Sequence, residues 1–172
     1  EAGRLGQFAE ARSRAAAARD QRKTSQPVSI IVENPVTARL IEIQKLIDDK
    51  NLAQAGAELK QLKEKNPTEP RIYYNLGRVA SLSAESITDQ EKQKAKLLEA
   101  KTEYENVILN KNPSTDRALL SLTYVALAKI YEFYDQKTYA IAIYNKAIEL
   151  GPVTGGGHNE AIAAKARLIK EQ

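Results

Sequence analysis

The stretch that decides the fold is SLTYVALAKIYEFYDQKTYAIAIYNKAIELGP, residues 121–152. Tyr124, Leu127, Ala128 and Tyr131 fall three and four residues apart, which gathers them on one face of an α-helix. Ala140, Tyr144 and Ala147 form a second such stripe, and Gly151-Pro152 is a helix stop. Small Ala128 and Ala140 let the two helices approach closely, while the tyrosines fill the space beside them.

Working outward, the end of this unit recurs. "LKEKNP" closes at Pro67, "ILNKNP" at Pro113 and "IELGP" at Pro152. The preceding unit carries Tyr73, Leu76, Gly77 and Ala80, then Ala100, Tyr104, Val107 and Pro113. Its two halves are separated by extra chain. Thr88 and Glu91 make a capping-box pattern, so a loop is expected around 83–87, followed by a long helix over 89–110 that projects from the body. A third unit has Leu40, Ile43 and Ile47, then Ala55, Leu59, Leu62 and Pro67, with Asn34-Pro35 as N-cap and first helical residue.

These units resemble the tetratricopeptide repeat (TPR): aromatic, Leu with a small residue, aromatic, then Ala, aromatic, Ala and a closing Pro. Residues 121–152 match all eight signature places in type and spacing, with Ala128 where Gly is usual and Tyr124 where Trp is usual. The middle unit is about eleven residues longer than a standard repeat, and Gln44 takes the small-residue place in the third. The resemblance implies an all-α solenoid of antiparallel helix pairs, with repeats at 37–67, 68–113 and 114–152.

The flanks fit such an array. "GRLGQFAEARSRAAAARD" resembles only the second half of a repeat, so residues 1–23 are expected to form an orphan helix whose partners lie upstream. A chain that starts at Glu1 and contains no Met is in keeping with an excerpt or a processed product. Residues 24–36, with Val28, Ile30, Ile31 and Val32 between prolines, read as an extended linker or as a short strand that pairs elsewhere. "VTGGGHNEAIAAKARLIKEQ", residues 153–172, reads as a flexible glycine joint and a capping helix that buries Ala161, Ala164 and Leu168.

Composition narrows the function. The 172 residues are 42% hydrophobic and 28% charged, as in a folded helical protein, and charged residues interrupt every apolar run, so no membrane insertion is expected. The formal charge is +4, but both signs interleave and no nucleic-acid module is present, so nucleic acid is not an expected partner. Zero Cys excludes thiol chemistry and leaves the compartment open.

Catalytic constellations are lacking too. His158 is the sole histidine and has no acid, base or ligand partners in the pattern, and the triple glycine beside it lacks the Lys-Ser/Thr of a phosphate loop. Asp48-Asp49 read as a solvated turn. Neither cofactor nor metal is expected, nor enzymatic activity.

In TPR arrays the first helices line a concave groove, and the residue after the small signature position points into it. That resemblance places Lys45, Arg78 and Lys129 in one row, suited to an acidic segment of a partner. The paired Asn residues of a full carboxylate clamp are not matched; Asn75 is one place off. Expected groove residues are Ile41, Lys45, Tyr74, Arg78, Val125, Lys129, Glu132 and Phe133. The implied function is a protein-interaction scaffold that binds a peptide or helix. The alternative is a structural module packing on other domains or subunits, with sticky repeat ends in place of a sticky groove.

Overall fold

The computed structural model describes residues 34–172. Among them it has seven α-helices and no strand: α1 Pro35–Asp48, α2 Leu52–Lys65, α3 Pro70–Glu85, α4 Gln90–Leu109, α5 Arg117–Phe133, α6 Lys137–Glu149 and α7 His158–Lys170. Each helix packs on the next in sequence, and α3 also touches α5, as α5 touches α7. The orphan helix expected at 1–23 and the linker up to 33 lie outside the described residues. α1 starts at Pro35, the residue read from sequence as the first helical position, so the linker drawn over 24–36 overlaps the helix by two residues.

Local chemistry sets most boundaries. Pro70 occupies the first turn of α3, where its missing N–H costs nothing, and the Glu69 carboxylate accepts from Arg71 N at 3.2 Å. Asp116 caps α5 by accepting from Ala118 N at 2.9 Å. The cap of α4 is Asp89, accepting from Lys92 N at 2.9 Å, and not the Thr88–Glu91 box. The expected loop is also displaced: α3 continues through Glu85, because Ala84 is a buried core residue, and the connection is 86–89. Lys50 and Asp135 adopt left-handed φ values of 60° and 55° at the sharp turns after α1 and α5.

α4 has 20 residues and is about 30 Å long at about 1.5 Å per residue. Its buried residues, Ala100, Tyr104 and Val107, all lie in its second half. The first half is held at its flank: Gln93 Nε2 donates to Ala84 O (3.1 Å) and Tyr134 OH to Lys94 O (2.7 Å).

The core follows the apolar stripes. Ile43, Ile47, Leu59 and Ile72 join α1, α2 and α3, each at most 2% exposed. Tyr104, Leu127 and Ile130 pack α4 on α5, with Tyr73, Val107 and Leu120 continuing the seam. Val125, Ala128, Ala140, Tyr144, Ala161 and Leu168 close the C-terminal end. Burying each large aliphatic side chain contributes about 1.5–3 kcal/mol.

The joint before α7 is packed rather than flexible. Ser121, fully buried, accepts a hydrogen bond from Gly157 N at 2.9 Å, and a Cβ on Gly157 would stand 2.6 Å from Val125 Cγ2. The glycines here allow close approach, and Gly155, at φ +79°, allows the turn.

Candidate functional site

α1, α3 and α5 turn one face each toward a shared surface, and residues three and four apart define it: Thr37, Ile41 and Lys45 on α1; Tyr74, Arg78 and Ser81 on α3; Leu119, Leu122, Ala126, Lys129 and Phe133 on α5. Two adjoining depressions result. The first, of about 520 Å³, lies between α1 and α3 and is lined by Ile41, Lys45, Tyr74, Asn75, Arg78 and Leu119. The second, of about 440 Å³, lies among α3, α4 and α5, with Leu97, Tyr104, Leu122, Ala126, Ile130 and Phe133 on its walls. Tyr74 borders both, its ring tilted against that of Tyr104 at 6.0 Å between centroids.

The two depressions differ in charge. In the first, Arg78 Nη1 is held, among the described residues, by neutral groups: Gln44 Oε1 at 2.5 Å and Asn75 Oδ1 at 3.2 Å. Gln44 is itself fixed by donating to Asp48 Oδ1 at 2.7 Å. Lys45 is exposed and makes no ion pair among the described residues. Arg71 is engaged with Glu69 at 2.8 Å and with Thr37 Oγ1 at 2.8 Å. The hydrogen bond from Arg71 lowers the Glu69 carboxyl below its ordinary range, against the opposing effect of burial.

In the second depression Lys129 is ion-paired with Glu160, carried by α7, and Glu85 is also on the rim. Burial pushes the Tyr74 phenol up, partly offset by Arg78, and pushes Tyr104 up to about 12. Both shifts favour the neutral phenol.

Of the eight residues expected from sequence, seven line these depressions. Val125 does so as wall and not as contact surface, being 3% exposed beneath Gly157. Glu132 does not. It faces α6 and α7, accepting from the Tyr144 hydroxyl and from Arg167 Nη2 at 2.6 Å, and so anchors the last helix. Burial first, then the hydrogen bond to Glu132, raises the Tyr144 phenol.

Sequence reasoning missed Leu119, Leu122 and Ala126. Their spacing with Lys129 and Phe133, at three and four residues, would have revealed the α5 face. Glu160 gave no comparable signal, since it reaches the groove only through the packing of α7.

No family model matches this chain, and no curated protein sequence matches it.

Proposed function

We propose that this chain is a non-enzymatic protein-interaction scaffold of the TPR type, a solenoid of helix pairs that binds a peptide or helix of a partner protein on the face made by α1, α3 and α5. The observation that carries the reading is the convergence of Ile41, Tyr74, Leu119, Leu122 and Phe133 with Arg78, Lys45 and Lys129 on one surface. Apolar and aromatic side chains there supply desolvation energy, and the cations supply orientation. The repeat reading is supported by three successive helix pairs, α1–α2, α3–α4 and α5–α6, each followed by the recurrent Pro67, Pro113 or Pro152. It is supported as well by two small residues inside the pairs: Gly77, closely covered by the Tyr104 ring, and Ala128, fully buried with Ala140 and Tyr144.

The test is peptide-array binding and pull-down with wild type beside the triple variant Lys45→Ala/Arg78→Ala/Lys129→Ala, at low and high salt. Acidic segments are expected to be retained by wild type and weakened in the variant chiefly at low salt, since exposed charges are screened beyond about 10 Å at 0.1 M. An identical set of retained segments would overturn the cations as recognition elements. Retention that also survives Leu122→Glu would overturn the groove itself.

A further inference from the structure

We propose that the groove is electrostatically polarised, and that it selects a segment carrying a carboxylate about 10 Å from a Leu- or Phe-sized side chain. The carboxylate sits on Arg78 and Lys45, the apolar side chain sits in the depression walled by Leu97, Leu122, Ile130 and Phe133, and Glu160 turns a second carboxylate away from that end. This inference rests on the groove-binding reading above and assigns its ligand class and polarity.

Three cations occupy equivalent helix positions, but their surroundings make them unequal. Among the described residues the partners of Arg78 are amide oxygens, Gln44 Oε1 and Asn75 Oδ1. Those bonds aim the guanidinium without neutralising it, and an acceptor carboxylate adds charge-assisted hydrogen bonds that an amide does not match. Lys45 beside it is unpaired among the described residues. Lys129, by contrast, already holds Glu160, and Glu85 adds another negative group to the same rim. A carboxylate entering there meets two of its own sign and one satisfied cation. The apolar walls and the 440 Å³ volume nevertheless suit a branched or aromatic side chain.

Geometry sets the spacing. The first depression lies between α1 and α3 and the second between α3 and α5, so the two are about one helix spacing apart, about 8–10 Å for packed helices. That separation corresponds to about three residues of an extended segment at about 3.3 Å each. For a helical segment at about 1.5 Å per residue it corresponds to about seven.

The test uses fluorescein-labelled synthetic peptides in which Asp and Leu are fixed three or seven apart on a Gly/Ser or Ala/Gln background. Companions lack the Asp, lack the Leu, carry Lys for Asp, or carry a second Asp flanking the Leu. Binding is read by anisotropy, and the site by chemical-shift changes at Tyr74 and Leu122 against Leu109, which lies elsewhere on α4. Removing Asp is expected to weaken binding about 2- to 5-fold, as for exposed ion pairs, and removing Leu about tenfold or more. Arg78→Gln and Lys45→Gln, with helical content checked by circular dichroism, should reduce the Asp peptide to the level of its Asp-free companion.

Glu160→Gln is the diagnostic variant: it should improve binding of the doubly acidic peptide about 2- to 5-fold more than that of the singly acidic one. Shifts at Tyr74 and Leu122 that are indifferent to Asp, to Arg78→Gln and to Glu160→Gln would overturn the polarity and leave groove binding standing. Peptides that shift neither residue would overturn the groove reading and this inference with it.

Discussion

Gly77 of α3 lies flat against the ring of Tyr104 on α4: a Cβ at residue 77 would stand 2.6 Å from Tyr104 Cε1 and 2.7 Å from Cδ1. Tyr104 is 3% exposed and packs on Tyr74 at 6.0 Å between centroids, so a ring displaced by a new methyl gives up that packing and moves into the second depression. Gly77→Ala is therefore expected to destabilise the fold, over-packing at about 1–3 kcal/mol outweighing the helix-propensity gain of about 1 kcal/mol. Gly56 on α2 is the control. Its Cβ would meet only Val79 Cγ1, at 3.5 Å, an ordinary contact. Gly56→Ala should stabilise by up to about 1 kcal/mol. Urea melts of the two variants check the opposite signs.

Ala128, fully buried against the cluster of Ala140 and Tyr144, adjoins the exposed Lys129 in sequence. Ala128→Leu is expected to cost about 1–3 kcal/mol by forcing α5 and α6 apart, whereas Lys129→Ala loses only its exposed pair with Glu160, worth about 0–1 kcal/mol. Equal melting temperatures for Ala128→Leu and wild type would contradict the packing.

Gly157→Ala should loosen α7 selectively, since the added methyl collides with Val125 Cγ2 and separates Gly157 N from Ser121 Oγ. Hydrogen exchange over residues 158–170 is the readout, with α2 as reference. Faster exchange confined to α7 is expected. Gly151→Ala, by contrast, meets nothing within 4 Å, but its φ of +81° strains any L side chain, so its cost of about 1 kcal/mol should appear without loosening α7.

Glu103 provides the pH dependence. Its side chain is 16% exposed, Oε2 has no hydrogen-bond partner among the described residues, and its other oxygen is 3.9 Å from Lys63. Burial raises its carboxyl above the ordinary 4.5, with Lys63 opposing and Glu99 reinforcing the shift. A raised folded-state value means that the protonated form is the one the fold prefers. Its stabilising contribution is complete below the unfolded value and is lost as pH rises through the folded one. Glu103→Gln is thus expected to be more stable than wild type at pH 7, with the difference closing as pH falls toward and below 4.5. A difference that widens on acidification would show that the pair with Lys63 outweighs burial.

The stripes Tyr124–Leu127–Ala128 and Ala140–Tyr144–Ala147 were legible because helical periodicity is local: the residues that meet the core are set by a 3.6-residue repeat, whatever the partner surface. The buried faces of α1, α3, α5 and α7 were readable on that basis, whereas the row of Lys45, Arg78 and Lys129 came from the resemblance to the repeat. The boundary between α3 and α4 was not. Thr88 and Asp89 are both competent caps, and the choice falls to whichever backbone is placed to donate, here Lys92 N to Asp89.

Sequence by itself determined that the described residues form amphipathic helices with Arg78 and Lys129 on their solvent side, because turn signals and apolar spacing act within a few residues. Only the tertiary structure decided what those cations do. Whether Arg78 meets the amide of Gln44, 34 residues away, and Lys129 the carboxylate of Glu160 depends on how distant helices come to rest. Glu132 and the triple glycine make the same point. Both look available along the chain, yet Glu132 is taken by Tyr144 and Arg167, and Gly157 by Ser121. Charge pairing and close packing act through space, so a pattern one residue deep in sequence does not contain them.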